Sequence, residues 1–273
     1  MGEFLVTGPT GDVGRHVVSQ LAEAGLGVRA LVRDPSRVRL PPRVEVAGGD
    51  LAAPATLEPA LRGVETVFLI WPDRAAAAVE AVAETAVETI AKHARRIVHL
   101  SGGLGPHREI ERAIRWAGVP WTFLRPTGCA TDALEWAGEV RKGVVRRPYG
   151  AAALAPVHER DVAAVAVHVL TSAGHGGATY TISGPETLTR ARQARIIGEA
   201  VGREVRWEEP PARRAREELL AAWGDPVAVD GALARWASFV ATPEPVTDTV
   251  WRLLGRRALT FRQWAGEHAA DFG

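Results

Sequence analysis

Six short apolar runs punctuate the first half of the chain: Glu3–Thr7, Val28–Val32, Val44–Ala47, Thr66–Ile70, Arg96–Leu100 and Trp121–Leu124. Each has about the length of a buried strand. Helical stretches lie between several of them. Val13–Ala24 puts Val17, Val18 and Leu21 on one face and is closed by Gly25. Pro54–Leu61, Ala75–His93 and Glu109–Trp116 follow, the last stopped by Gly118 and Pro120. Strand–helix–strand alternation leaves few topologies, because parallel neighbours need a crossover of one hand. It predicts an α/β fold: a Rossmann-like doubly wound parallel sheet with a small, mostly helical C-terminal region.

The texture changes after Arg125-Pro126. Asp132–Val140 reads as helical, Gly143–Ala155 as a loop, Asp161–Thr171 as an apolar helix and Thr179–Ser183 as a strand able to extend the sheet. Leu188–Val201 reads as a helix capped by Thr187 or Thr189, and Val205–Trp207 as a strand. The remainder reads as helical pieces broken by Pro210, Pro226, Pro243 and Pro245. The expected division is therefore 1–126 as a dinucleotide-binding region, completed by about 156–185, with 127–155 and 186–273 as a smaller substrate-binding region. Trp116 and Trp121 are expected in core elements. Most of Trp136, Trp223, Trp236, Trp251 and Trp264 are expected in the core too.

Composition excludes several classes. A chain of 273 residues, 47% hydrophobic, buries a core without a disulfide or metal staple. A net charge of +1 gives no field toward nucleic acid or an anionic membrane. No apolar run reaches a bilayer span, and one cysteine, Cys129, forms no internal disulfide. A cytoplasmic protein is expected. Val6 stands where a myristoylation signal needs Ser or Thr, which removes Gly2 as a lipid site. The eight histidines lack metal-ligand spacing, so no metal is expected. No Gly-x-Ser-x-Gly nucleophile elbow occurs. The run Arg213, Arg214 and Arg216 reads as a solvated helix face beside Glu217 and Glu218.

Thr7-Gly8-Pro9-Thr10-Gly11-Asp12-Val13-Gly14 joins the first strand to the first helix. Phosphate binding needs backbone N–H groups at close range, where a Cβ would obstruct, and a helix N-terminus adds favourable polarity. Strand before and helix after give this glycine triad the context of a dinucleotide site. The second strand ends Leu31-Val32-Arg33-Asp34-Pro35-Ser36-Arg37. Arg33, with Arg37 one turn on, suits a 2′-phosphate and hence NADP(H) in preference to NAD(H). Asp34 could instead hold a ribose, the NAD(H) arrangement.

The glycine turn, Val28–Arg33, Gly49-Asp50-Leu51, Ile97-Val98-His99-Leu100-Ser101 and Trp121-Thr122-Phe123-Leu124-Arg125-Pro126 occur in that order. With Glu159-Arg160-Asp161-Val162-Ala163 and the segment Gly177 to Glu186, they resemble the NmrA-like branch of atypical short-chain dehydrogenases/reductases. The resemblance spans about residues 3–208. It is nearest to quinone-oxidoreductase-like and triphenylmethane-reductase-like members. It implies that Gly8, Thr10, Gly11, Asp12 and Val13 surround a pyrophosphate and that Arg33 meets the adenosine 2′-phosphate. Asp50 and Leu51 would flank the adenine, and Leu69, Ile70 and Trp71 would line the ribose. Ser101 would lie near the nicotinamide, with Pro126 and Thr127 closing over the ring.

Ordinary short-chain reductases use a Tyr-x-x-x-Lys pair to move the carbonyl proton. Counting excludes it. Tyr149 and Tyr180 are the only tyrosines, and four residues beyond them stand Ala153 and Gly184. His107-Arg108-Glu109-Ile110-Glu111 is similar instead to a His-x-x-x-Glu pattern of the quinone-oxidoreductase-like relatives, with His and Glu on one helix face. Three mechanisms stay open. His107 could act as general acid, since an imidazole titrates in the working range. Ser101 could bond a developing oxyanion. Or the substrate could carry its own proton, leaving the protein to align donor and acceptor. The expected activity is an NADP(H)-dependent reduction of a ketone or quinone of an aromatic small molecule, by a monomer or homodimer. The competing reading is a dinucleotide-binding redox sensor that acts through a protein partner.

Overall fold

The computed structural model describes residues 3–71, 76–103 and 105–273. The chain alternates through β1 (Glu3–Thr7), α1 (Asp12–Glu23), β2 (Val28–Val32), β3 (Val44–Gly48), α2 (Glu58–Leu61), β4 (Val64–Ile70), α3 (Ala76–Ala91), β5 (Arg96–Leu100), α4 (Pro106–Trp116) and β6 (Trp121–Pro126). It continues through a 3-10 stretch, Ala130–Trp136, into α5 (Ala137–Val140), β7 (Val144–Arg146), β8 (Ala153–Leu154), α6 (Glu159–Thr171) and β9 (Ala178–Ile182). Last come β10 (Leu188–Thr189), α7 (Arg190–Ala200), β11 (Arg206–Glu208), α8 (Ala212–Trp223), α9 (Pro226–Ala241), α10 (Thr249–Leu254) and α11 (Phe261–Glu267). The expected start of the third helix at Ala75 lies outside the described residues, as does Gly2. No helix among the described residues is long and apolar enough to cross a membrane.

The chain divides into two units. The first is 1–126 with 159–182 and 249–256; the second is 127–158, 183–248 and 257–273. The segment 249–256, which carries α10 and Trp251, joins the first unit, whereas the sequence reading put it in the second.

In the first unit seven parallel strands run in the order β3-β2-β1-β4-β5-β6-β9. The direction of winding reverses between β1 and β4, and all carboxyl ends fall on one edge, where such sheets bind ligands. The inner strands β4 and β5 carry buried apolar runs because helices cover the sheet, while the edge strands β3 and β9 are part-exposed. Helix α1 buries Val13, Val17, Val18, Leu21 and Ala22, the i, i+4 face read from the sequence. Leu5, Val67, Leu69, Val87, Ile90, Ile97, Ile110 and Phe123 share one core cluster.

The second unit has its own core of Trp136, Val140, Val145, Ile197, Phe261, Trp264 and Phe272. Two small ribbons brace it. β7 pairs in parallel with β11, and β8 pairs antiparallel with β10. Gly143–Ala155 is thus not the loop its sequence suggested; its short strands find partners far along the chain. Leu188 and Thr189 belong to β10, so the helix starts at Arg190, capped by the Thr189 hydroxyl on the Arg192 N–H (3.1 Å). The helical pieces break at Pro226 as expected: α8 ends at Trp223 and Pro226 opens α9, with Asp225 accepting from the Val227 and Ala228 N–H groups. Trp116, Trp223 and Trp251 also depart from expectation, being 82%, 38% and 59% exposed, while Trp136 and Trp264 are core. Arg213 and Arg214 pair with Glu217 and Glu218 on the exposed face expected of them.

Candidate active site

The glycine turn sits at the point where the winding reverses. Gly8 adopts φ +60°, a conformation that side chains rarely take, and a Cβ there would come 3.3 Å from Ile70 Cβ. A Cβ on Gly14 would stand 2.0 Å from the Gly8 carbonyl oxygen, so the turn and α1 touch backbone to backbone. The Gly11 N–H closes the turn on Gly8 O at 3.1 Å. Thr10, Gly11 and Asp12 are exposed, Val13 is buried, and no side chain caps the start of α1. An uncapped helix start leaves N–H groups turned to whatever anion arrives. Pyrophosphate fits this cradle. Thr7 fixes it to the sheet: its hydroxyl donates to Ile70 O (2.8 Å) and accepts from Ile70 N–H (2.7 Å).

At the end of β2, Arg33 is exposed. Asp34 turns its carboxylate into its own loop. It accepts from Ser36 N–H (3.0 Å) and Ser36 Oγ–H (2.6 Å), and Arg37 Nε lies 3.2 Å away. Arg37 is thereby tied to Asp34. Asp50 accepts from the Ala52 N–H at 2.9 Å and so shapes the turn after β3, while Leu51 is buried in the core. Leu69 and Trp71 face the same core, and their side chains are 0% and 4% exposed. Of the three expected ribose residues, only Ile70 stays part-exposed beside Gly8. Alternation along the strand explains this, since Leu69 and Ile70 point to opposite faces.

The end of β5 carries a buried polar cluster. Ser101, 1% exposed, donates its hydroxyl hydrogen to Glu111 Oε1 at 2.7 Å and accepts from the Gly103 N–H at 2.9 Å. A serine has one hydrogen to give. With that hydrogen on a carboxylate, Ser101 is a structural link rather than an oxyanion donor in this arrangement. Arg125, in β6, grips Glu111 with two bonds, Nε to Oε1 at 2.9 Å and Nη2 to Oε2 at 2.5 Å. Burial alone would push the Glu111 carboxyl up; the bonds from Arg125 and Ser101 outweigh it and hold the group below its ordinary range. The same bond raises Arg125.

His107 is the second residue of α4 and half-buried, with Gly102 against its ring: a Cβ there would lie 3.1 Å from Cδ2. The ring of His99 is 5.7 Å away, centroid to centroid. His99 is 0% exposed and bonded through Nδ1 to Leu69 O at 2.9 Å. Burial lowers its pKa to about 4, so it is neutral. Pro126 ends β6. Thr127 begins the second unit and donates to Ala155 O at 2.8 Å.

Thr7, His99 and Arg125 were not singled out from sequence. A charged residue inside an apolar strand run, as in Leu124-Arg125-Pro126, is the signal that asked for a buried counter-ion.

A parallel sheet that reverses its winding at a glycine turn, with an uncapped helix behind it, defines a dinucleotide-binding protein of the Rossmann type. The comparisons with known proteins agree. A family described as NAD(P)H-binding matches residues 8–173. The chain is 40% identical, over 98% of its length and 99% of the relative's, to a (4-alkanoyl-5-oxo-2,5-dihydrofuran-3-yl)methyl phosphate reductase of Streptomyces griseus. It is 34% identical to an NAD(P)H azoreductase of Xenophilus azovorans, over 99% of each chain. Two solved structures share the fold. Citrobacter triphenylmethane reductase complexed with NADP(H) has a TM-score of 0.82 at 21% identity, covering 97% of this chain and 99% of that one. An Escherichia coli NADPH-dependent quinone oxidoreductase with NADPH has 0.81 at 22% identity, with the same coverage. The chain belongs to this NAD(P)H-binding family, in the NmrA-like branch of the atypical short-chain dehydrogenases/reductases. It is an NAD(P)H-dependent oxidoreductase.

Proposed function

We propose that the protein is an NADP(H)-preferring reductase that delivers hydride to a ketone or quinone of a conjugated, aromatic small molecule in the cytoplasm. The observation that carries this reading is the cradle formed by Gly8, Gly14 and the uncapped start of α1 at the reversal point of the sheet. The nicotinamide, when bound, supplies a hydride from its C4. Gly8, Thr10, Gly11, Asp12 and Val13 would hold the pyrophosphate through backbone N–H groups. Asp50 and Leu51 would stand at the adenine, with Ile70 and the backbone of Leu69 and Trp71 at the ribose. Pro126 and Thr127 would lie at the ring. Arg33 would meet the 2′-phosphate. The capture of Asp34 by Ser36 and Arg37 supports this, because it engages Asp34 and Arg37 with each other beside the exposed Arg33 at the end of β2.

In the reaction the acceptor carbon gains the hydride and its electron pair, the carbonyl π pair moves to oxygen, and that oxygen takes a proton. His107 rests against Gly102 in the turn after β5, whereas the Ser101 hydrogen is engaged with Glu111. A quinone or ortho-phenolic ketone stabilises the negative oxygen itself, so the proton can come from water or from the substrate. The relatives' names span a furanone phosphate, an azo compound and a quinone. Such acceptors share conjugation and not shape.

The test is oxidation of NADPH and NADH across a panel of quinones and aromatic ketones, with Arg33→Ser alongside. The expected outcome is turnover with a higher kcat/KM for NADPH than for NADH, a gap that Arg33→Ser narrows. Tight NADPH binding with no turnover on any acceptor would favour the redox-sensor reading. Equal use of both cofactors would remove the NADP(H) preference.

A further inference from the structure

We propose that Glu111 is a positioning residue of the reductase site: paired with Arg125, it fixes Ser101 and, through Ser101, the Gly102-Gly103 turn against which His107 rests. The proposal rests on the reductase reading above.

Glu111 joins three elements with one carboxylate. It stands in α4, Ser101 follows β5, and Arg125 lies in β6. The Glu111 side chain is 3% exposed, and its contacts are directional: Oε1 takes both Ser101 Oγ–H and Arg125 Nε–H, and Oε2 takes Arg125 Nη2 with Arg115 at 3.6 Å. Because the Ser101 hydrogen goes to the carboxylate, its lone pairs are aimed at the Gly103 N–H. Gly103 has φ +69°, and a Cβ there would stand 3.2 Å from Arg125 Cδ and Nε. The arginine therefore packs on the turn that its partner carboxylate holds. Gly102, in the same turn, faces the His107 ring. Ser101 N–H is itself locked on Leu124 O at 2.8 Å.

The pair is buried at Glu111, while the Arg125 side chain is 35% exposed; the cost of desolvating the carboxylate makes such a pair an inefficient way to stabilise a fold, and well-packed apolar residues of similar volume often do as well. Its gain is geometric, and here that gain falls on the carboxyl edge of the sheet, between β5 and β6.

The test replaces both partners at once. The double variant Glu111→Leu/Arg125→Met removes the pair while leaving no lone buried charge. Urea unfolding should give a midpoint close to wild type, and the NADPH Kd should change by less than about threefold, since the glycine turn is untouched. Amide exchange should rise in the peptide containing Gly102 and Gly103 and nowhere else in the sheet. The kcat for the best acceptor should fall by about tenfold or more, the scale of a misplaced reacting geometry. If the double variant does not fold, Ser101→Ala and Glu111→Gln, singly and combined, run the same cycle. Their losses in kcat should not add, because both act through one contact. A folded double variant with wild-type kcat, or fully additive losses in the cycle, would overturn the positioning role alone. A wild-type enzyme that binds NADPH but reduces no acceptor would overturn the reductase reading, and this role with it.

Discussion

Gly14 has no room for a side chain, since its Cβ would meet the Gly8 carbonyl at 2.0 Å. Gly14→Ala should therefore push α1 away from the turn. We expect a loss of about 1–3 kcal/mol in stability by urea unfolding and a weaker NADPH Kd by fluorescence titration. Wild-type affinity in this variant would show that the pyrophosphate sits elsewhere. His99 contributes an acid-sensitive part of the stability. Its native pKa is about 4, pushed down by burial, against 6.5 in the unfolded chain. Below pH 6.5 the unfolded chain takes up a proton that the native state refuses, so stability is full above that pH and falls as the pH drops toward 4. The loss amounts to roughly 3 kcal/mol once both states are protonated. Urea midpoints at pH 7 and pH 5 should differ in wild type and differ less in His99→Gln. At this scale the glycine turn was legible because its chemistry is local, three glycines within seven residues. Ser101 was not. Its partner Glu111 is ten residues on and Arg125 a further fourteen, and only folding shows that they consume its hydrogen bond.

Elements were legible where period and caps agree. The strands of the sheet and helix α1 matched to within a few residues, because unbroken apolar runs and a Val-Val-Leu face each have one reading. Short ribbons were hidden. Val144–Arg146 and Ala153–Leu154 carry too few residues for a pattern, and their partners lie some 35 to 62 positions away. Trp116 was misplaced because it ends α4 on the polar side of a strongly amphipathic helix; residue type suggested core where position gave solvent. The break at Pro226 was legible, since α8 ends at Trp223 and the first turn of α9 needs no proline N–H. Helix α11 illustrates a cap with full reciprocity: the Thr260 hydroxyl accepts from Gln263 N–H at 3.2 Å, and Gln263 Oε1 accepts from Thr260 N–H at 2.8 Å. Thr260→Ala should cost about 1 kcal/mol in urea unfolding. No change would mean that packing of Phe261 and Trp264 alone holds that helix.

At the scale of the molecule, the strand order places the ends of β1, β2, β4, β5 and β6 along one edge, and with them the glycine turn, Arg33, Ile70, Ser101 and Pro126. That convergence was predictable from alternation and handedness. The missing Tyr-x-x-x-Lys pair was also evident from a count of tyrosines. Together they support the proposed reading, in which the chain holds a dinucleotide and aligns an acceptor without that pair. The most direct test is single-turnover oxidation of NADPH deuterated at C4, each diastereomer in turn, with an aromatic ketone as acceptor. Direct hydride transfer predicts slower oxidation for one diastereomer only, with deuterium recovered on the carbinol carbon. Equal rates for both with no deuterium in the product would contradict direct hydride transfer.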